Sequence, residues 1–326
     1  MASGRQSQET SIRHVLSFDV EEHFQASAFW SDARRQQWDR LERRVEQNTL
    51  RLAELLAQAE TKATFFVLGW VAERHPGLVK ALAKQGHEIA SHGYGHEMVT
   101  NQTAGEFRDD VRRSKCILED VTGEMVYGYR APSFSITDQT PWALAILVEE
   151  GYLYDSSIYG RFQRSEKVGV KRGVREIITT AGNIFEVALP TADLCGVQLP
   201  IGGGGYFRLF PYSASRIFLR QLEKAGTQLV MYLHPWEIDP DQPRMDGPLV
   251  SRFRHYLNLK RTEQRLQFLL RDFSFAPVVE IVQPIRELVQ SRVQCGSVSI
   301  CSTEKRALAW TDSEEWPVRF HHGDSC

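Results

Sequence analysis

This sequence predicts an α/β fold built on a parallel sheet or barrel, and three observations lead there. Short apolar runs recur along the chain, helical patterns separate them, and ionisable residues gather where the runs end. In parallel barrels the strand ends form one edge, and active sites are built on it.

The elements follow in order. VLSFDV (15–20) reads as a buried strand, and Arg43 to Ala59 as a helix. ATFFVLG (63–69) is a second strand, rich in β-formers. Pro76 opens a helix through LVKALAKQ, and Gly86 stops it. HEIASH (87–92) is a third strand. Thr103 and Glu106 form a capping box, after which Phe107, Val111, Ser114, Ile117, Leu118 and Val121 keep helical spacing up to Gly123. MVYGYRAP (125–132) and YLYDSSI (152–158) are strands on either side of a helix that starts at Thr140-Pro141 and ends at Gly151.

The pattern then changes. IITTAGNIFEVAL (177–189) predicts a hairpin with its turn near Gly182-Asn183, followed by the glycine-rich IGGGGYFRLFP (201–211). A helix from Ser213 to Ala225 leads into the strand TQLVMYL (227–233). Residues 260–272 form an amphipathic helix through Leu266, Leu269 and Leu270. Periodicity fades after about residue 290, so 290–326 is expected to be a peripheral or disordered tail.

Composition narrows the function classes. The 326 residues carry a formal net charge of -2, with 42% hydrophobic and 25% charged residues, an ordinary globular mixture. Such a balance gives no basic footprint, so no nucleic-acid partner is expected. The polar start MASGRQSQETSIRH has no apolar signal core, and no apolar run approaches ~18 residues. These features predict a cytoplasmic protein without a membrane span. The cysteines Cys116, Cys195, Cys295, Cys301 and Cys326 are odd in number and form no C-x-x-C pair, as expected of reduced thiols. Three of them lie near His321 and His322, but at no zinc-site spacing.

Five segments can carry chemistry. In SFDVEEH, alternation along the strand puts Asp19 and Glu21 on one face, so both can enter one cavity, one as base and one as metal ligand. A solvated loop start is the plainer alternative. In SHGYGH, His92 and His96 are four residues apart and can share a metal on one side of a helical turn. Two histidines and one carboxylate would leave a position open for water, as in catalytic zinc sites. In YRAP, Arg130 can clamp a carboxylate or form a surface ion pair. In YDSS, Asp155 can orient a histidine or cap a turn. In YLHPWE, His234 ends an apolar strand and suits a general acid or a satisfied, half-buried histidine equally well.

Taken in this order, these segments resemble the five sequence blocks of the polysaccharide deacetylases of the NodB-homology group, carbohydrate esterase family 4. SFDVEE stands for the acidic opening block, SHGYGH for the metal-histidine block and YRAP for the arginine block. YDSS stands for the Asp block and YLHP for the closing Leu-His block. The resemblance covers roughly residues 12–280. It is closest to the subgroup associated with exosortase and PEP-CTERM exopolysaccharide loci. The matching segments are the FDVE opening, GGGYFR (Gly203 to Arg208), HPWE (234–237) and HYLNLKRTEQRLQFLLRDFSFAPV (255–278).

The resemblance implies a distorted (β/α)7 barrel over residues 12–280, with a subgroup-specific region from about 240. It implies a divalent metal, zinc or another first-row ion such as cobalt, on His92 and His96, and an acetylated polysaccharide or oligosaccharide as substrate. Asp19 would be the general base, oriented by Arg130, and His234 the general acid, tuned by Asp155. The oxyanion would meet a backbone N–H near Ala131. Two features depart from the family pattern. The common opening has adjacent aspartates, whereas this chain has Asp19, Glu21 and Glu22. Strand alternation favours Glu21 over Glu22 as third ligand, because Ser17, Asp19 and Glu21 share a face. The Asp block also lacks its usual tryptophan and has Tyr159 nearby.

Phe24, Trp30, Tyr206, Phe207 and Trp236 can serve as sugar-stacking walls or as core. Two rival functions use the same residues: hydrolysis of a small amide or cyclic ureide, and a non-catalytic carbohydrate-binding subunit of a polysaccharide export complex.

Overall fold

Strand alternation decides which side chains line the interior of this molecule and which meet its helices. The structure is a computed structural model and describes residues 12–26, 29, 35–158, 173–189, 191–194, 197–200 and 202–294. The main sheet contains β1 (His14–Val20), β2 (Thr64–Val67), β3 (Glu88–Ser91), β4 (Gly128–Tyr129) and β5 (Tyr154–Asp155). It continues with the hairpin β6 (Val174–Thr179) and β7 (Gly182–Val187). A separate hairpin is formed by β8 (Thr191–Leu194) and β9 (Val197–Pro200), and β10 (Val230–Leu233) returns to the main sheet beside β1. The sheet order is β10-β1-β2-β3-β4-β5-β7-β6, and the short β11 (Phe275–Ala276) also pairs with β1. All pairs in this sheet are parallel except β6 with β7.

Helices α1 (Val45–Gln58), α2 (Gly69–Arg74), α3 (Pro76–Lys84), α4 (Ala104–Thr122) and α5 (Trp142–Glu149) make the crossovers of the first half. Then come α6 (Gly204–Leu209), α7 (Tyr212–Lys224), α8 (Leu249–Tyr256), α9 (Leu259–Asp272) and α10 (Val278–Gln294). The sequence signals for boundaries act as expected. Thr103 and Glu106 form the reciprocal capping box of α4, and Gly123 ends that helix in the left-handed region. Gly86 and Gly151, at φ 80° and 77°, follow α3 and α5.

Even-numbered β1 residues Leu16, Phe18 and Val20 join the core under the helices, with Phe65, Val67 and Ile89. Val15 faces the other way, into a second cluster with Phe66, Ala90, Tyr154, Phe185, Val187, Val230 and Tyr232. Val278 and Val282 of α10 complete that interior cluster. The Val278 N–H donates to Thr64 Oγ1 (2.8 Å) and the Val279 N–H to Glu88 Oε2 (3.0 Å), which fixes the helix start against β2 and β3. The sheet is strongly curled. Three strand spacings separate β1 from β4, about 14 Å in a flat sheet, yet Arg130 at the end of β4 reaches Asp19 on β1 at 2.7 Å.

One expectation is corrected: the hairpin turn falls on Thr180-Ala181, and Gly182 already pairs with Thr179 as the first residue of β7. Helix α10 runs through Pro284 to Gln294. Residues 295–326, with Cys295, Cys301, Cys326, His321 and His322, lie outside the described residues, as do Trp30, Tyr159 and Cys195. Chain contacts divide the molecule into Met1–Ile285 and Arg286–Cys326. Among the described residues no helix is long and apolar enough to cross a membrane.

Candidate active site

Because the strands are parallel, the ends of β1, β3, β4, β5 and β10 all open on one edge of the sheet. The inward face of β1 continues from Val15 through Ser17 to Asp19, and Arg130 binds both polar residues. Its Nη1 donates to Ser17 Oγ (2.9 Å) and Asp19 Oδ1 (2.7 Å). Its Nε donates to the Ser156 carbonyl (3.1 Å) and its Nη2 to Ser156 Oγ (3.0 Å), so the buried guanidinium is held from three sides. The Phe66 ring lies 4.0 Å from the guanidinium carbon. Arg130 thereby ties Asp19 down through Oδ1, and Asp19 Oδ2 lies 4.0 Å from His234 Nε2.

Glu21, two residues further along, forms with His92 and His96 a buried group whose ligand atoms all lie within 4.8 Å of one another. It is the one candidate metal group of three or more ligands among the described residues. The His92 ring is oriented by its Nδ1, 2.8 Å from the Arg130 carbonyl, which leaves Nε2 as the lone-pair nitrogen. Burial lowers the His92 pKa to about 4, so the ring is neutral and able to ligate at ordinary pH. Glu21 Oε2 is 2.6 Å from His96 Nε2, but the two are not aligned as a hydrogen bond, and Oε2 has no hydrogen-bond partner. A buried carboxylate oxygen without a donor, pressed against an imidazole nitrogen, is costly unless a cation shares the space. One carboxylate and two imidazoles suit zinc or another first-row divalent ion. The residues present therefore fit a metal.

The two histidines are not brought together by a helical turn. Residues 92–96 form a buckled loop with Gly93 and His96 in the left-handed region, at φ 74° and 53°. That conformation costs a non-glycine residue about 1–3 kcal/mol, and surrounding bonds hold it. The Gly69 N–H donates to the Gly93 carbonyl and the Trp70 N–H to the Tyr94 carbonyl, each at 2.9 Å. The Tyr94 N–H donates to Asp110 Oδ2 (2.9 Å) and Ser114 Oγ to the Gly93 carbonyl (2.9 Å).

Glu22 has a different task. Its carboxylate accepts the N–H of Arg44 (2.9 Å to Oε2) and of Val45 (3.2 Å), at the start of α1. It satisfies backbone donors that the helix cannot use itself.

His234 follows β10 with its Nε2 3.8 Å from Glu21 Oε1. The structure corrects the expected partner of its other nitrogen. Nδ1 lies 2.8 Å from Glu237 Oε1, which also accepts the His234 N–H (3.0 Å). Arg208 Nε donates to the second oxygen of Glu237 at 2.6 Å. Burial acts to lower the His234 pKa, but the charges of Glu21, Glu237 and Asp19 outweigh it and raise it to about 9. Burial likewise works against Glu237, whose pKa Arg208 and His234 still hold down at about 2.

Asp155 is hydrogen-bonded to Ser157 rather than to His234. Its two oxygens accept from Ser157 Oγ (2.6 Å) and the Ser157 N–H (3.1 Å), the turn-capping alternative. Burial, followed by the neighbouring Asp155 charge, pushes the Glu186 carboxyl well above the carboxylate range. The Ala131 N–H is also committed, donating to Ser157 Oγ at 2.7 Å, so that particular N–H is not free to bind an oxyanion.

Sequence reasoning gave no role to Arg208 or Glu237. The available signal was Glu at the third position after His234 in a turn opened by Pro235, the spacing at which a carboxylate reaches back to a cap residue. The sequence offers Trp236 as sugar wall or core. It is buried and donates Nε1–H to Glu21 Oε1 at 3.1 Å. It also stacks between His234 and His255, with ring centroids 5.0 and 4.0 Å away. Phe24 and Phe207 are core, while Tyr206 is half-buried. Cys116 is exposed and unpaired.

Residues 36–152, which contain His92, His96 and Arg130, match the polysaccharide deacetylase family. Residues 156–283, which contain Arg208, His234 and Glu237, match a family described as a domain of unknown function (DUF3473). Asp19 and Glu21 precede both matches. Over 111 residues the chain is 34% identical to a peptidoglycan deacetylase-like protein of Gibberella zeae, covering 34% of this chain and 32% of that protein. Over 96 residues it is 34% identical to a peptidoglycan-N-acetylglucosamine deacetylase of Bacillus cereus, covering 29% and 35%. The alignments thus span about a third of the length of these relatives. A Mycobacterium smegmatis crystal structure, provisionally described as a polysaccharide deacetylase, superposes with a TM-score of 0.55 at 21% identity, over 90% of this chain and 94% of that one. That likeness establishes the fold, an α/β half-barrel with its sheet curled around the interior cluster. Over residues 36–152, this chain is similar to the polysaccharide deacetylase family.

Proposed function

We propose that this protein is a metal-dependent hydrolase that removes N-acetyl groups from N-acetylhexosamine units of an exopolysaccharide. The observation that carries the reading is one shared mouth: the Glu21, His92 and His96 ligand atoms lie within 4.8 Å of one another, and Asp19 Oδ2 and His234 Nε2 stand 4.0 Å apart beside them. Similarity to a peptidoglycan-N-acetylglucosamine deacetylase supports an acetylated glycan as substrate class.

Glu21, His92 and His96 would hold a divalent ion, Zn2+ or Co2+, which when bound supplies Lewis acidity to the water and the acetamide carbonyl. Asp19 takes the water proton through Oδ2, while Arg130 holds Oδ1 and fixes the carboxylate plane. Water oxygen attacks the acetamide carbon. The C–N bond then breaks as His234, protonated at Nε2, delivers its proton to the leaving nitrogen. An ionised base and a protonated acid must coexist, and Glu237, 2.8 Å from Nδ1, favours the imidazolium form of His234. The products are acetate and a free amine on the sugar.

The test is acetate release from N-acetylglucosamine oligomers by protein stripped with chelator and then reloaded with Zn2+ or Co2+. Activity that appears only after reloading supports the reading. Full activity in protein shown metal-free by elemental analysis would overturn it.

A further inference from the structure

We propose that Glu237, clamped by Arg208 and given room by Gly204, is the positioning residue for His234, so that the domain-of-unknown-function segment supplies the orienting half of the acid. The proposal rests on the hydrolase reading above for its kinetic consequences, and on hydrogen bonding alone for its structural one.

An imidazole can hand over a proton only from the nitrogen that faces the substrate. His234 Nε2 faces the site, 3.8 Å from Glu21 Oε1 and 4.0 Å from Asp19 Oδ2. The ring keeps that orientation only if Nδ1–H has a fixed acceptor behind it. Glu237 Oε1 is that acceptor at 2.8 Å, and Asp155 is engaged with Ser157 instead.

Glu237 is itself fully constrained. Its Oε2 takes the Arg208 Nε–H at 2.6 Å. Arg208 Nη1 meanwhile donates to the carbonyls of His255 and Leu257, each at 2.8 Å, so the guanidinium cannot swing away. The glycine run explains how the carboxylate fits. A Cβ on Gly204 would collide with both oxygens of Glu237. Glycine at 204 is thus needed for close approach to the carboxylate, although its φ is not in the left-handed region. Arg208, four residues on, lies on the same face of α6 as Gly204. One short segment, Gly204 to Arg208, therefore both makes the space and supplies the clamp.

The experiment uses metal-loaded, full-length protein. In Glu237→Gln, kcat should fall by about 10–100-fold with KM and metal content unchanged. Gly204→Ala should produce a similar fall in the wild-type background and little further fall when added to Glu237→Gln, the non-additivity expected of residues acting through one contact. Imidazole 15N NMR supplies a readout independent of turnover: Nδ1 of His234 should be protonated and hydrogen-bonded in the wild type and change on Glu237→Gln. If the wild type releases no acetate but the NMR change is seen, the positioning role stands and the hydrolase reading fails. If the wild type is active and Glu237→Gln keeps its kcat, or if the His234 signals do not move, the proposal is overturned. Loss of metal from a folded Glu237→Gln protein would also overturn it, since Glu237 would then be supporting the ligand set rather than the acid.

Discussion

Arg130 Nη1 donates to Asp19 Oδ1 at 2.7 Å, and both side chains are buried at opposite ends of a four-strand arc. Removing one member of a buried pair leaves the other charge uncompensated, typically at a cost of about 3–5 kcal/mol. Arg130→Ala should therefore lower unfolding free energy by roughly that amount in a urea titration. Metal content at low temperature should survive, because His92 is oriented by the backbone carbonyl of residue 130, which the substitution keeps. A change below about 1 kcal/mol would show that Asp19 finds another partner.

Adjacent glutamates should separate cleanly. Glu21 belongs to the candidate metal group, whereas Glu22 accepts the N–H groups of Arg44 and Val45. Glu21→Ala should abolish stoichiometric metal binding. Glu22→Ala should retain metal and lose about 0.5–2 kcal/mol of stability, the range for a lost helix-start acceptor. Retained metal in the first variant with lost metal in the second would reverse the assignment.

Metal should stabilise the fold by mass action. At free metal 100 times its Kd, the gain is about 2.7 kcal/mol. The midpoint of thermal unfolding should rise with added Zn2+ in the wild type and stay fixed in His92→Ala. Equal responses in both would place the metal elsewhere.

Two buried histidines away from the site should contribute to acid destabilisation. His87 Nδ1 accepts the Ala63 N–H (3.3 Å) and His14 Nδ1 accepts the Leu229 N–H (3.2 Å). Protonation would set a donor against a donor. Burial, helped by Lys62, lowers the His87 pKa from 6.5 to about 4, and burial lowers that of His14. Between pH 6.5 and about 4 the unfolded chain binds protons that the fold refuses, so stability falls as pH drops through that window. His87→Asn keeps an acceptor and cannot titrate. Its stability should decline less steeply than the wild type's between pH 6.5 and 4, and an unchanged slope would rule His87 out.

The parts of the fold visible in the sequence are those set by local rules. The two-residue period of β1 separates Ser17 and Asp19 from Leu16 and Phe18 without knowledge of any other strand. Gly86, Gly123 and the Thr103 capping box mark helix ends through backbone chemistry alone. What could not be read depends on distant contacts. Glu237 looks like a local cap until Arg208, from a different helix, is seen bonded behind it. Asp155 looks like a histidine partner until Ser157 claims both its oxygens. Helix α10 was hidden by Pro284, a residue that ordinarily argues against a helix interior. Its first turn is instead secured by Thr64 and Glu88 and by burial of Val278 and Val282.

Trp236 joins the two halves of the site, and its indole N–H should matter more than its ring. Nε1–H donates to Glu21 Oε1 at 3.1 Å, the oxygen that is not pressed against His96. It thereby fixes the plane of the carboxylate and turns Oε2 toward the two histidines. The ring itself is clamped between His234 and His255, at 5.0 and 4.0 Å, with Arg208 5.4 Å from it. Trp236→Phe would remove the donor and keep an aromatic face in the stack. Loss of a group that orients a ligand typically costs about 10–100-fold in metal affinity or activity. Metal affinity, measured by competition with a chromophoric chelator, should fall by that factor in Trp236→Phe, while Trp236→Ala should in addition lose stability through the cavity, by about 3–5 kcal/mol. The same affinity in Trp236→Phe and wild type would mean that packing alone positions Glu21.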